Sequence, residues 1–450
     1  MDKNNKSNNN KQISPHRLMI YGFALIILIG ALLLTLPAAS SNGTSIGILD
    51  ALFTSTSAVC VTGLVVLDTG TDFSLFGQIV IMILIQIGGL GFMTYGVIIA
   101  IILGKKIGLK NRLLLQESTK SISAQGLVRL TLSIFFIAFI LELLGAIGLT
   151  IRWYGEMGFL KALYYAVFHS ISAFNNAGFA LWGDSVSGYV GDPVVNILIT
   201  ILFVIGGLGF TVLLDLFRKR KWRALSLHSK IVLSSSAILS LAGCLFIFIM
   251  ELFNPVTFGD LTWSERVWAA YFQGLTPRTA GFNTVDIGGM MVASQFFIIF
   301  LMFIGASSGG TGGGIKTNTF VVLLLSVWSI VKGKPDAELY HRRIANEIIL
   351  RALAVIIISM TVILAVTLLL TITEHGQNDD FLMILFEATS AFGTVGLSMG
   401  LTWELTVPGK IIIIVTMFIG RLGPLTLAYA LAQKTVTNKI RYAEEKVLIG

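Results

Sequence analysis

Residues 172–179 read SAFNNAGF, and three other stretches of the chain repeat this pattern. Residues 57–64 read SAVCVTGL, residues 275–282 read LTPRTAGF, and residues 390–397 read SAFGTVGL. Each stretch carries a glycine followed by a large apolar residue, and an aromatic residue lies ten positions before each glycine. The glycines are Gly63, Gly178, Gly281 and Gly396, and the aromatic residues are Phe53, Phe168, Tyr271 and Phe386. Matches in several columns at once indicate an internal fourfold repeat.

A second set of matching positions follows these glycines after 24 to 28 residues. It consists of the pairs Ile87-Gly88, Ile205-Gly206, Ile304-Gly305 and Ile419-Gly420. The first glycines themselves are 115, 103 and 115 residues apart, so the copies have similar lengths. Internal repetition on this scale is characteristic of membrane transport proteins.

The composition places the repeats in a membrane. Hydrophobic residues make up 55% of the chain, charged residues only 12%, and the mean hydropathy is +0.84. A soluble domain has about a quarter charged residues, and this chain has too little polar surface to cover a globule of its size. The net charge of +8 does not indicate nucleic-acid binding, because the basic residues cluster in short loops between apolar segments.

Apolar segments of two lengths alternate along the chain. A helix needs about 20 apolar residues to cross the hydrocarbon core, and eight segments are suited to this: Met19–Leu36, Phe73–Leu103, Leu127–Ile151, Val190–Phe217, Ile231–Phe253, Gln295–Val331, Ile344–Ile372 and Val407–Gln433. The second and sixth contain glycine clusters, which predict tilted or broken helices. Four segments are too short to span: Gly47–Ala58, Leu160–Phe174, Ser264–Leu275 and Asp380–Phe392. We predict an all-α polytopic membrane protein with eight transmembrane helices and four re-entrant pore loops, arranged as four M1-P-M2 repeats around one pore.

The repeats predict the domain organisation. A cytoplasmic tail at residues 1–18 precedes the repeats, and a second tail at 434–450 follows them. The repeats occupy residues 19–104, 127–217, 231–331 and 344–433, and the third contains a broken helix at 305–314. The first tail is polar and too long for the charged region of a signal peptide.

The distribution of charge predicts the orientation. Most Lys and Arg residues fall in the tails and in alternate loops, so both termini are expected in the cytoplasm. The four short segments then enter from the outer face, and Arg278 is assigned to an outer loop. An acidic outer mouth that concentrates cations is one interpretation of the outer carboxylates, and ordinary solvated loops are the other. These carboxylates include Asp50, Asp68, Asp72, Asp184, Asp260, Asp379 and Asp380.

A short helix that enters from outside points its carbonyl end toward the membrane centre, where its dipole favours a cation. Non-helical backbone at this depth must line a polar path. Four such stretches around one axis form rings of carbonyl oxygens, and glycine supplies the positive φ that turns the carbonyls inward. These ring segments are Val61-Thr62-Gly63, Asn176-Ala177-Gly178, Thr279-Ala280-Gly281 and Thr394-Val395-Gly396. None contains a carboxylate, which favours a monovalent cation; the alternative is that the glycines serve helix packing.

The sixth long segment contains the glycine-rich loop Gly305-Ala306-Ser307-Ser308-Gly309-Gly310-Thr311-Gly312-Gly313-Gly314. At about 1 kcal/mol per glycine, this stretch cannot sustain a helix. A break is therefore predicted, and a merely flexible kink is the alternative. Arg421 is a charge within the last long segment, which is costly and usually functional; a salt bridge between two helices is the other interpretation.

The same loop imitates two motifs of soluble enzymes. Residues 309–317 resemble a phosphate-binding loop, but Ile315 separates the last glycine from Lys316. Residues 305–309 match G-x-S-x-G, although no strand precedes them and no histidine is linked to them. An intramembrane hydrolase is thus retained only as a remote alternative, and we predict that the chain is not an enzyme.

The repeated stretches, together with Ile419-Gly420-Arg421-Leu422-Gly423-Pro424, resemble the membrane subunits of bacterial Ktr potassium uptake systems, in the Trk/Ktr/HKT superfamily. The resemblance covers nearly the whole chain after the first tail. It implies potassium uptake across the bacterial plasma membrane, a filter built by the ring segments, and a glycine-rich loop that blocks the pore beneath them. In the family, Gly63 corresponds to a position where glycine accompanies potassium selectivity. Cys60 departs from the threonine that many relatives carry, so the resemblance leaves the fine selectivity open.

The resemblance also implies partners. It predicts a homodimer in membrane lipid, controlled by a separate cytoplasmic ring of nucleotide-binding subunits. It implies no cofactor within this chain. Potassium is the transported ion, sodium is left open as a coupling or activating ion, and a sodium or poorly selective monovalent cation channel is the nearer alternative. Arg421 is expected beneath the filter near the loop, and Glu142 has no obvious partner in the sequence.

Overall fold

The fold is almost entirely helical in the computed structural model, which describes residues 15–91, 94, 127–334, 336–376, 380–423, 426 and 445. The connection between the first and second repeats, the residue Asp379, nearly all of the predicted tails, and the ends of the second and eighth long segments lie outside these residues. The described α-helices are α1 Pro15–Leu34, α2 Ile48–Cys60, α3 Leu75–Leu90, α4 Leu127–Met157, α5 Phe159–Phe174, α6 Pro193–Leu208, α7 Phe210–Lys219, α8 Leu227–Glu251, α9 Trp263–Leu275, α10 Val292–Phe303, α11 Thr317–Val331, α12 Asn346–Thr373, α13 Phe381–Gly393, α14 Leu401–Glu404 and α15 Val407–Leu422.

Helices α1, α4, α8 and α12 are the longest apolar helices. Within the described residues, four stretches are long and apolar enough to cross a membrane: Arg17–Leu34, Thr131–Met157, Leu227–Glu251 and Asn346–Thr373. Their outer faces expose large apolar side chains, such as Leu32, Leu144, Leu241 and Leu368. Apolar surface of this kind is favourable against lipid and unfavourable against water.

Three of the remaining long helices end at a glycine with a positive φ. Gly91, Gly209 and Gly423 follow α3, α6 and α15 with φ of 80°, 94° and 85°, and each has ψ between 131° and 139°. At Gly209 the axes of α6 and α7 differ by 95°. The sequence predicted one long apolar segment over Val190–Phe217, and the structure divides it here into two helices, because the positive φ of Gly209 redirects the backbone.

The four short helices α2, α5, α9 and α13 lie at the four short segments predicted from the sequence. Each packs against the long apolar helix that precedes it in its own repeat and against a helix of the preceding repeat. The contacts with the preceding repeat join α3 to α5, α6 to α9, α10 to α13, and α15 back to α2. The contacts therefore close into a cycle around the C-terminal ends of the short helices.

Polar caps fix where the helices begin. Ser74, Asp192 and Thr406 accept hydrogen bonds from backbone N–H groups in the first turns of α3, α6 and α15, and Thr262 and Glu265 form a reciprocal capping box on α9. Outside the helices, the described residues include a short antiparallel hairpin, with strands β1 Glu338–Leu339 and β2 Arg342–Arg343.

Candidate functional site

The C-terminal ends of the four short helices lead directly into the ring segments. The first residue of each ring segment is not glycine, yet it has a left-handed conformation. These residues are Val61, Asn176, Thr279 and Thr394, with φ of 57°, 60°, 71° and 48°. The glycine two residues later also has a positive φ, between 69° and 93° in the four copies. Left-handed backbone at non-glycine residues is strained, so the surrounding packing must hold it in place.

The four glycines of the ring segments are neighbours in space. A Cβ built on each would lie less than 3.0 Å from a backbone atom of the following repeat: Gly63 from Ala177, Gly178 from Gly281, Gly281 from Val395, and Gly396 from Thr62. The last contact returns to the first repeat, so the glycines form a closed ring in chain order. A side chain on any of them would meet the backbone of the next segment.

A hydroxyl group behind each ring segment bonds to the backbone of the ring glycine or of the residue that follows it. Ser57 and Ser390 accept hydrogen bonds from the N–H groups of Gly63 and Gly396 at 3.0 and 3.2 Å. In the second repeat Ser172 Oγ donates to the carbonyl of Phe179 at 2.7 Å.

The third repeat breaks the sequence pattern with Leu275 in place of this serine. Thr276, one residue later, donates to the carbonyl of Phe282 at 2.5 Å. The hydroxyl function is thus retained by a neighbouring residue.

The second set of repeated glycines packs against the ends of the short helices. A Cβ on Gly88, Gly206 or Gly420 would lie less than 3.0 Å from the carbonyl group of Val59, Phe174 or Phe392, respectively. These three carbonyls belong to the residue four positions before each ring glycine. In the third repeat, Gly305 instead faces Gly313 and Gly314 of the glycine-rich loop. The repeated Ile-Gly pairs therefore mark a close helix–helix contact, which the sequence pattern alone did not explain.

The glycine-rich loop interrupts the helix pair α10 and α11. Helix α10 ends at Phe303 and α11 begins at Thr317, so the predicted break is present and extends slightly beyond residues 305–314. The loop is hydrogen-bonded to the junction of α6 and α7. Ser307 N and Thr311 N donate to the carbonyls of Gly207 and Gly206 at 3.0 and 3.2 Å. These hydrogen bonds hold the loop in a defined position, so the loop differs from a flexible kink.

The same loop contacts three of the four left-handed residues at the start of the ring segments. Thr311 Oγ1 donates to Asn176 Oδ1 at 2.8 Å, and Gly313 N donates to Thr394 Oγ1 at 3.0 Å. A Cβ on Gly312 would collide with the Thr279 side chain. The loop therefore lies directly against the first residues of these ring segments.

Arg421 bridges the loop and the end of α3. Its Nη1 donates to the carbonyl of Thr311, and its Nη2 donates to the carbonyls of Gly88 and Gly89, the latter at 3.4 Å. These acceptors are backbone carbonyls, and no salt bridge involving Arg421 occurs among the described residues. Lys316, which the sequence analysis did not assign, also holds the loop: its Nζ donates to the carbonyl of Gly312 at 2.7 Å.

Arg278 was assigned to an outer loop, whereas the structure packs its side chain against a long helix. Arg278 follows the C-terminal end of α9, and its guanidinium donates to the carbonyl and hydroxyl of Ser236 at 3.2 and 3.1 Å and to Ser240 at 3.4 Å. Both serines lie in the middle of α8. The charge rule treated the whole connection as a loop, whereas the residues that follow the short helix α9 pack against a long apolar helix.

Glu142 has partners that the sequence could not indicate. Its two carboxylate oxygens accept hydrogen bonds from Gln86 Nε2 and Asn175 Nδ2, each at 3.0 Å, and Asn175 Nδ2 also donates to Gln86 Oε1 at 2.7 Å. We call Gln86, Glu142 and Asn175 the amide–carboxylate triad. Its members come from α3, α4 and the end of α5, and they are 33 to 89 residues apart.

An open cavity of about 480 Å³ lies on the other side of the glycine ring. It is lined by all four ring glycines and by the carboxylate residues Asp68, Asp184 and Asp286. Asp68 and Asp184 were among the predicted outer carboxylates, whereas Asp286 was not named. Asp50, also predicted for the outer mouth, instead forms an ion pair with Lys410 at 2.6 Å. Of the predicted outer carboxylates, Asp68 and Asp184 therefore line this cavity, whereas Asp50 does not.

Comparisons with known proteins agree in the family they indicate. Residues 9–440 match the TrkH family, described as cation transport protein. The chain is 49% identical to Ktr system potassium uptake protein B of Bacillus subtilis (strain 168), over 98% of this chain and 97% of that protein. It is 39% identical to potassium/sodium uptake protein NtpJ of Enterococcus hirae, with 98% of each chain covered. The crystal structure of the potassium transporter TrkH from Vibrio parahaemolyticus has the same fold, with a TM-score of 0.74, 19% identity, and coverage of 96% of this chain and 87% of that one.

Proposed function

The chain belongs to the TrkH family of cation transport proteins, and from this premise we propose that it takes up potassium ions across the plasma membrane through a single pore. The observation that carries the proposal is the closed ring of the four glycines. Four segments that meet in chain order around one axis can surround a single ion. Because the family consists of cation transporters, the chain is not an enzyme, and the hydrolase alternative is rejected.

The ring segments are the proposed selectivity filter. They are the twelve residues named from the sequence: Val61, Thr62, Gly63, Asn176, Ala177, Gly178, Thr279, Ala280, Gly281, Thr394, Val395 and Gly396. Backbone carbonyls here replace the hydration shell of the ion, and the carbonyl ends of the four short helices favour positive charge nearby. The alternating left-handed residues support this assignment, because such backbone lets successive carbonyls face one path.

The glycine-rich loop, residues Gly305–Gly314, is the proposed gate, and Arg421 is the residue that holds it. The loop occupies the path immediately inside the ring, where it contacts Asn176 and Thr394. A guanidinium at this depth also repels cations, so Arg421 both holds the loop by hydrogen bonds and acts as an electrostatic barrier. Ions pass when the loop moves aside.

The proposed topology has eight transmembrane spans and four re-entrant segments, with both termini in the cytoplasm. The four long apolar helices and the bent pair α6–α7 support five of these spans by length and composition. Helices α3 and α15, and the pair α10 and α11 on either side of the glycine-rich loop, supply the others in this proposal. The basic end of α7, with Arg218 and Lys219, supports a cytoplasmic location for that end.

The proposed assembly is a homodimer in membrane lipid, regulated by a cytoplasmic ring of nucleotide-binding subunits. The support comes from relatives that are named as components of a Ktr system. The system name implies further subunits, and the large apolar side chains exposed on α1, α4 and α8 supply surface for lipid or for a second copy.

The proposal is tested by potassium uptake in bacterial cells that lack their own uptake systems. Expression of the full chain with its regulatory partner is expected to restore growth and uptake at low external potassium. Reversal potentials in mixed potassium and sodium salts then separate potassium uptake from the alternative, a sodium or poorly selective cation channel. Absence of potassium uptake by correctly inserted protein would refute the proposal, and equal permeability to both ions would favour the alternative.

A further inference from the structure

The amide–carboxylate triad lies outside the proposed filter and gate, yet it touches residues next to both. Glu142 is 5% exposed and Asn175 is fully buried. Both carboxylate oxygens of Glu142 are bonded to side-chain amides. An ionisable residue inside a membrane protein is expensive to bury and is therefore a candidate for a functional role.

One arm of the triad leads to the glycine-rich loop through the second ring segment. Asn175 immediately precedes Asn176, and Asn175 Nδ2 also donates to the carbonyl of Ile171 at 2.9 Å, which fixes the side chain against the end of α5. Asn176 Oδ1 then accepts the hydrogen bond from Thr311 Oγ1. A displacement of Asn175 would therefore move the residue on which the loop rests.

The other arm leads to the same loop through Arg421. Gln86 lies in α3, two and three residues before Gly88 and Gly89, whose carbonyls accept from the guanidinium of Arg421. Arg421 in turn donates to the carbonyl of Thr311. The triad thus holds the end of α3 that anchors Arg421, and the two arms meet again at Thr311.

The two arms form one closed circuit that joins all four repeats. It runs from Glu142 through Asn175 and Asn176 to Thr311, and from Thr311 through Arg421 and the end of α3 to Gln86 and back to Glu142. We propose that Glu142 is a positioning residue for ion conduction, which stabilises the closed position of the glycine-rich loop through this circuit. The inference rests on the proposed function, since it assigns Glu142 a role in the same gate.

The size of the effect follows from the bonds that are lost. Glu142→Ala removes two hydrogen bonds, one from Gln86 Nε2 and one from Asn175 Nδ2. Each bond contributes about 1 kcal/mol, so the equilibrium between closed and open loop is expected to shift by about five- to thirtyfold. Potassium flux per inserted molecule should rise by a factor in that range.

The experiment measures potassium flux of the full-length chain in liposomes, normalised to inserted protein, for Glu142→Ala, Arg421→Ala and the double variant. Residues in one circuit give non-additive effects. Glu142→Ala should therefore raise flux in the unmodified chain, but by less than about twofold when Arg421 is already alanine. If Glu142→Ala does not fold, Gln86→Met removes the same connection with a side chain of similar shape.

Glu251→Ala is the matched control. Glu251 is another fully buried carboxylate, but its partners are Asn254, Thr257 and the N–H of Met291, none of which belongs to the loop or the ring segments. Its replacement should lower folded yield and leave flux per molecule unchanged.

Unchanged normalised flux in both Glu142→Ala and Gln86→Met, or additive effects with Arg421→Ala, would overturn the positioning role while the proposed function stands. Absence of potassium flux in the unmodified chain would overturn the proposed function itself, and the inference with it.

Discussion

Replacement of Gly63 by serine tests the glycine ring directly. Gly63 has φ of 92°, a conformation that L side chains rarely adopt. A Cβ at this position would lie 3.1 Å from the Cα of Gly178 and closer still to the carbonyl oxygen of Ala177. Both neighbours are backbone atoms of another ring segment, so no side-chain rotation can relieve the contact.

The magnitude follows from these two effects. A left-handed conformation costs a residue with a side chain about 1–2 kcal/mol, and overpacking at a close contact costs about 1–3 kcal/mol. Their sum is about 2–5 kcal/mol, which the protein can reduce only by moving the first ring segment away from the second. A difference of 1.4 kcal/mol between two ions corresponds to a tenfold change in preference. We expect the preference for potassium over sodium to fall at least tenfold in Gly63→Ser.

The assay is competition between potassium and sodium for flux into liposomes, normalised to inserted protein. Gly43→Ser is the matched control, because Gly43 also has a positive φ, of 69°, but a Cβ there would have no neighbour within 4 Å. The control carries backbone strain without the collision, so its ion preference should equal that of the unmodified protein. Unchanged competition in Gly63→Ser would refute the assignment of the ring as the filter, and so would an equal loss in Gly43→Ser.

Three further predictions concern the gate and the packing of the repeats. Deletion of residues within Gly305–Gly314 should raise potassium flux without changing ion preference; flux at or below that of the unmodified chain in well-inserted protein would contradict a gate there. Arg421→Ala should raise normalised flux, and the flux of Arg421→Lys should lie between that of Arg421→Ala and that of the unmodified protein, because lysine restores the charge without the planar guanidinium. If Arg421 only holds helices together, Arg421→Ala should lower the folded yield and leave normalised flux unchanged. Gly420→Ala should lower the thermal unfolding temperature, because its Cβ would collide with the backbone of Phe392. The control Gly155→Ala lies in open space within a helix and should stabilise the protein slightly, by up to about 1 kcal/mol. Equal unfolding temperatures of the two variants would contradict the close contact.

The sequence alone predicted the features that depend on local chemistry. Apolar length and low charge predicted long lipid-facing helices, and the repeated glycine columns located the four short helices within one or two residues of their observed bounds. The run of glycines at 305–314 predicted a break in the helix because glycine disfavours helical backbone wherever it occurs. These properties are set by residues that are close together in the chain.

Only the tertiary structure decided which distant residues meet. Glu142 and Arg278 have no local signal for their partners, since amides, serine hydroxyls and backbone carbonyls occur throughout the sequence and only the packing of α3, α5 and α8 selects among them. The glycines at 88, 206 and 420 form a recognisable pattern in the sequence. Their role is to allow close approach to the carbonyl end of a short helix, and it follows only from the packing of the two helices. Close contacts and buried hydrogen bonds depend on distances of a few tenths of an ångström between separate elements, and a sequence pattern with a period of about a hundred residues cannot encode those distances explicitly.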